Sequence, residues 1–450
     1  MKSILPQTAI IKLVLLKTNY SSEKQYRMNK YVVSLEYEGQ ILLFNTLTRE
    51  LISLDKEEYN GIYSNYDVSK ALIEKYFLVD STFDEKIVSQ QISSLANALS
   101  NKKSITHYTV FPTMACNARC FYCFEHGAKR HSMSEQVAKD SADYIIKKSE
   151  GKDVSIQWFG GEPLCNIKAI DIISSRLKEN NITFKSRMIT NGYLLDYKML
   201  DHAVENWNLN HVQITLDGTR EVYNKIKNYV YKPNNDAFDK VINNIGFALA
   251  KGLSVYIRIN LHKDNCDDIN ELTAFLCDKF KGYESKLSIY CWLLYDNRGI
   301  VKAEKNITER KLLTDRLLEI EEKIYKLGFA LKNTPKKNIV TTMCIADSDR
   351  SITILPDGNI GKCDHFSDER FIGDIYSNDY SSDMISFFKQ RKQEVELCDF
   401  CPLYPQCVNL KNCPDASVDV CDEIEQNRLL HTLYNQMRNA YNKKTKECEI

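Results

Sequence analysis

A chain of 450 residues is long for one domain and implies two or three. Its 60 lysines and arginines balance 60 aspartates and glutamates, which leaves no global field to draw it toward nucleic acid or a membrane surface. Fifteen cysteines, clustered rather than spread, favour metal over disulfides, and without a convincing signal peptide a reduced, cytoplasmic protein is expected.

In chain order, residues 1–27 fit neither strand nor helix cleanly, and no apolar run approaches the roughly 18 residues of a membrane span. Met28 stands directly before the first strand pattern, which makes it an expected alternative start of translation. The runs 31–37, 41–44 and 51–54 predict three short strands separated by turns at 38–40 and 45–50. Helical patterning begins at Leu54 and Asp55 and returns over 68–77 and 84–99, giving a small strand-plus-helix module over residues 28–104.

Beyond it, β-rich runs at 108–113, 154–159, 184–189, 211–215, 254–260 and 286–294 alternate with helical segments. Such alternation predicts parallel strands with crossover helices, an α/β partial barrel over 105–335 whose chemistry collects in the loops after the strands. The unusual residues fall in those loops: Cys116, Cys120 and Cys123 after the first run, and Gly160, Gly161, Glu162 and Pro163 after the second. Asn191 follows the third and Asp217 the fourth. A charged helix over about 303–328 leads out of the barrel, residues 336–425 hold a second cysteine cluster, and 426–450 reads as a terminal helix.

Three closely spaced thiolates are one short of a structural zinc set, whereas a [4Fe–4S] cluster on three cysteines leaves one iron open to a reactant. Zinc, or unrelated buried thiols, is the competing reading of the triplet alone. The run Cys116-Asn-Ala-Arg-Cys120-Phe-Tyr-Cys123 resembles the signature of the radical S-adenosyl-L-methionine (SAM) superfamily, including the aromatic Tyr122. The loop from Gly160 to Pro163 resembles that family's motif after the second strand. The resemblance implies a partial (β/α)6 barrel, SAM bound at the open iron, its cleavage to a 5′-deoxyadenosyl radical, and an electron donor such as flavodoxin or ferredoxin. It also implies SAM contacts from Tyr122, Gly160, Gly161, Glu162, Pro163, Asn191, Asp217, Arg258 and Asn260, with the glycines admitting the cofactor and Glu162 meeting its ammonium. Cys165, just beyond, reads as a packed thiol rather than a fourth ligand.

The later cysteines, with a hairpin turn expected at Gly358, resemble the auxiliary-cluster extension called SPASM. This implies one [4Fe–4S] cluster on Cys398, Cys401, Cys407 and Cys421 and another on Cys344, Cys363 and Cys413, for three clusters in all. A zinc ribbon from the first set is the alternative, and an unusual gap between Cys407 and Cys413 leaves the partition open. The three-cysteine cluster would have a place for a substrate cysteine, or for water or one of Asp347, Asp349 and Asp364.

Residues 43–51 resemble part of the winged-helix-like recognition module of peptide maturases, which takes a leader peptide by β-augmentation; a generic cap on the barrel is the alternative. The expected function is a radical SAM enzyme that cross-links a ribosomally made precursor peptide, joining a cysteine sulfur to carbon in a thioether. Formylglycine formation on a sulfatase is the rival activity, and a non-catalytic iron–sulfur electron carrier the rival class.

Overall fold

The computed structural model describes residues 1–5, 21, 23–99, 104–123, 125, 130–231, 236–294, 307–338, 344–364, 370–377, 379–410 and 421–448. The N-terminal unit runs β1 (Lys2–Leu5), β2 (Tyr26–Met28), β3 (Val32–Tyr37), β4 (Gln40–Asn45), β5 (Glu50–Leu54), α1 (Lys56–Asn60), α2 (Tyr66–Glu74), β6 (Leu78–Asp80) and α3 (Glu85–Leu99). Helix α1 starts where the sequence provides a capping box: Asp55 accepts from Glu58 N while Glu58 reaches back to the cap.

One expectation is corrected here. Residues 1–27 do contain regular structure, since β1 pairs antiparallel with β5 and β2 with β6. Ile4 and Leu5 pack with Leu42, Phe44 and Leu51, so tertiary burial gives β1 the order that four residues of pattern could not announce. Residues 43–51 span the end of β4, the turn and the start of β5, the two inner strands of the sheet. In the order β1-β5-β4-β3, the chain's own β1 covers β5, and β1 and β3 are the outer strands among the described residues.

The barrel strands are β7 (His107–Thr113), β8 (Val154–Gly160), β9 (Phe184–Thr190), β10 (Leu209–Thr215), β11 (Ser254–Leu261) and β12 (Leu287–Leu293). Between them run α4 (Glu135–Ser149), α5 (Ile167–Glu179), α6 (Tyr197–Trp207), α7 (Arg220–Lys227), α8 (Ala237–Ala250) and α9 (Asp268–Lys279). Every neighbouring strand pair is parallel. Val110, Ile156, Met188, Val212 and Ile257 face the helices and are fully buried, and the alternate residues Gln157, Arg187, Gln213, Tyr256, Arg258 and Tyr290 face inward. Trp158 and Trp207 anchor the helix side at 0% exposure, and truncating either to alanine costs about 3–5 kcal/mol.

After α10 (Ile307–Lys326) the chain returns to the same sheet. Strand β13 (Ser351–Ile354) pairs parallel with β7, and β14 (Asn359–Gly361) and β15 (Phe371–Asp374) extend the sheet antiparallel to nine strands. The expected hairpin closes at Gly358, whose φ of +89° suits glycine. The sheet therefore runs on across the boundary expected near residue 336. Helices α11 (Ser382–Lys389) and α12 (Glu423–Cys448) flank a cysteine-bearing segment of short 3-10 turns. That segment packs on the N-terminal unit, with Cys398, Tyr404 and Leu410 clustering with Tyr31, Leu47 and Ile92. Among the described residues no helix is long and apolar enough to cross a membrane.

Candidate active site at the cysteine loop

The loop between β7 and α4 carries Cys116, Cys120 and Cys123. It is tied to the barrel from several sides. A Cβ on Gly160, at φ +116°, would stand 2.4 Å from Thr113 O, and one on Gly161 2.4 Å from Ala115 O. The glycines thus let the end of β8 close onto the cysteine loop, where Gly161 N and Glu162 N donate to those carbonyls at 3.1 and 2.9 Å. The space a side chain would need at both positions is taken by the protein's own backbone.

Glu162 is fully buried. It accepts from Thr190 Oγ1 at 2.8 Å, Asn191 N at 2.9 Å and Leu164 N at 3.2 Å. Burial pushes its carboxyl up to about 7 against those stabilising donors. These contacts clamp the loops after β8 and β9 together. Asn191 Nδ2 donates to Asn117 Oδ1 at 2.6 Å, carrying the clamp into the cysteine loop.

Asp217 is committed in the same way. Its Oδ1 accepts from Asn260 N at 3.1 Å, and its Oδ2 from Lys227 Nζ at 2.9 Å and from Tyr122 OH. Lys227 Nζ also donates to Tyr122 OH at 2.9 Å. Burial opposes the charge on Lys227, but Asp217, Tyr122 and Cys120 outweigh it and hold the lysine well above its usual range. The buried pair fixes Tyr122, and through it the loop between Cys120 and Cys123. Lys227 was not anticipated from sequence: a lysine at the end of an exposed-looking helix carries no local signal of burial.

The three thiols are half-buried and outside any disulfide. Burial raises all three, Cys123 to about 11; Glu162 and then Cys120 and Cys123 raise Cys116 further, and Glu125 and then Cys120 raise Cys123 further. Iron would displace those protons. Among the described residues no three His, Cys, Asp or Glu side chains converge on a single-ion site. A four-iron cluster gives each thiolate its own iron and needs no such convergence, so the donor set fits a cluster with one open iron. Toward the rim, Arg258 donates from Nε to Asn260 Oδ1 at 2.9 Å and lies 5.3 Å from the Trp292 ring. Pro163 opens a 3-10 turn in which Cys165 is exposed, so the expected packing of that thiol is corrected.

Below the loop the inward face is polar. Tyr290 OH donates to Gln213 Oε1 at 3.0 Å, and Gln157 Nε2 lies 3.5 Å from Asp364 Oδ2. Arg187 stands in the same field: burial pushes it down and Asp364 partly restores it. The signal was available, because strands covered on both faces read as continuous apolar runs, whereas these alternate with Arg, Gln and Tyr.

Ser351 pairs with His107 at the start of β7, and β14 runs back alongside β13. The chain therefore reaches Cys363 near the N-terminal ends of the barrel strands, opposite the triplet. Cys344 N donates to Asp347 Oδ1 at 3.1 Å, while Asp349 pairs with Lys389 at 2.6 Å. Cys398 and Cys401 are buried. Burial raises Cys407 to about 11, with Cys401 and Cys421 adding to it, which puts those thiols in one neighbourhood. Cys413 lies outside the described residues.

Residues 110–276 match the Radical SAM superfamily. An Fe-coproporphyrin III synthase of Methanosarcina barkeri is 26% identical over 243 residues, 53% of this chain and 56% of that protein. The chain spans about half the length of the first curated relatives it matches. The structure of anSMEcpe with bound AdoMet and Cp18Cys peptide superposes with a TM-score of 0.58 at 15% identity, covering 76% of this chain and 99% of that one. Streptococcus suis SuiB bound to precursor peptide SuiA gives 0.52 at 14% identity over 89% of this chain and 100% of that one. With its parallel strand–helix units and its cysteine loop at their C-terminal ends, the chain carries a radical SAM domain in the radical SAM α/β fold.

Proposed function

We propose that the protein is a radical SAM peptide maturase that joins a cysteine sulfur to carbon in a ribosomally made precursor peptide. The observation that carries this reading is the inward polar face lying between two cysteine sets, the triplet at one end and Cys363 at the other. A substrate held there meets both. Cys116, Cys120 and Cys123 would hold a [4Fe–4S] cluster that, with SAM, supplies a hydrogen-abstracting 5′-deoxyadenosyl radical. Glu162, Asn191, Asp217 and Lys227 fix the loop, and Arg258 and Asn260 stand at the rim where SAM would lie. Gln157, Arg187, Gln213 and Tyr290 would orient the peptide. Cys344, Cys363 and Cys413, and Cys398, Cys401, Cys407 and Cys421, would hold two auxiliary clusters.

The N-terminal unit supports a peptide substrate. Among the described residues no strand pairs with the outer side of β3, which would take a leader strand, and the fold shared with SuiB extends over 89% of the chain. Formylglycine formation needs no such unit. Co-expression with a short cysteine-containing precursor encoded nearby, followed by mass spectrometry, separates the two activities. After reduction and alkylation, a thioether leaves the peptide two hydrogens lighter with its cysteine unalkylated; loss of the sulfur, or of two hydrogens at a serine, would favour formylglycine, and an unaltered precursor would reject the reading.

A further inference from the structure

The turn between β4 and β5 ends on Arg49, whose N donates to Asn45 O at 2.7 Å while Asn45 Oδ1 accepts from Leu47 N and Thr48 N. Arg49 sits at φ +63°, a left-handed conformation that glycine or asparagine fills with less strain. Its side chain must supply what a glycine would lack. Arg49 as a whole is 6% exposed, and among the described residues no carboxylate pairs with its guanidinium: Nε donates to Lys336 O at 2.9 Å, one terminal nitrogen lies 3.4 Å from Thr46 O, and the Phe44 ring is 4.8 Å away. Buried charges are ordinarily paired, and burial alone pushes this one down to about 10.

Arg49 lines a cavity of about 670 Å³ between the N-terminal unit, α12 and the segment bearing Cys407. Lys332 and Lys336 line it too, and no carboxylate does so among the described residues. The volume is that of a site for a small organic ligand. We propose that this cavity is an oxyanion-binding site, in which a phosphate group or clustered carboxylates sit against Arg49 and the two lysines complete the countercharge. Nothing in the radical chemistry requires it, and it stands outside the barrel.

Titration of the full-length, cluster-loaded protein with inorganic phosphate and, separately, with tetraglutamate tests the assignment by calorimetry and by acetylation footprinting of lysines. At least one probe should bind, weaken as salt rises, and protect Lys332 and Lys336. Arg49→Met should weaken binding at least tenfold, with Arg49→Lys recovering part of it. Binding of phosphate alone identifies a phosphate-bearing ligand, and of tetraglutamate alone an acidic peptide. If Arg49→Met fails to fold, the exposed pair Lys332→Met with Lys336→Met carries the same test. Absence of binding by both probes, or equal binding by wild type and variants, would overturn the proposal.

Discussion

The two cysteine regions are built differently. Around the triplet, fully buried Glu162 and Asp217 each accept from three donors, and strand ends close the loop from both sides. Among its described residues the C-terminal segment has only short 3-10 turns, and its regular neighbours belong to other parts of the chain. The first region is organised by the protein before any metal arrives. In the second, the described hydrogen bonds are mostly the short-range bonds of successive turns, such as Cys401 N to Cys398 O and Tyr404 N to Cys401 O, and metal ligands would act there as staples, as in small metal-bound segments generally.

The largest effect expected from this contrast is on stability. Cys398→Ala with Cys401→Ala should lower the melting temperature and open residues 396–410 to proteolysis, whereas alanine at the triplet should leave both nearly unchanged. Equal losses would erase the distinction. A smaller effect should follow inside the triplet's scaffold. Lys227→Met leaves Asp217 buried without its cation, which costs about 3–5 kcal/mol in denaturant unfolding. A loss below about 1 kcal/mol would mean that the pair does not hold the loop.

The smallest effect lies away from both regions, on α10. Burial raises Glu321 to about 7 from an ordinary 4.5, despite a hydrogen bond from Cys291 N and the nearby Arg428. An acid raised on folding contributes its full stability below the unfolded value and loses it as pH rises through the folded one. Glu321→Gln, which does not ionise, should therefore melt progressively higher relative to wild type between pH 4.5 and 7. A constant difference across that range would contradict the shift.

Sequence made the barrel legible because strand and helix periods alternate six times and the loop residues after the strands are chemically unusual. It also located the hairpin at Gly358. Contacts that depend on folding were hidden: β1 has only four residues, and Lys227 meets Asp217 across ten positions of chain. Glu162 and the two glycines were legible as residues but not as a clamp, since nothing local reveals that Thr190 and the Ala115 carbonyl lie against them. The inward polar face was readable in principle from strand alternation.

The central claim is that the triplet holds the cluster at which SAM is cleaved. Anaerobic reconstitution should load on the order of twelve irons if three four-iron clusters form. Replacing Cys116, Cys120 and Cys123 together by alanine should remove about a third of that iron and all formation of 5′-deoxyadenosine. Continued production of 5′-deoxyadenosine by the triple variant would contradict the account.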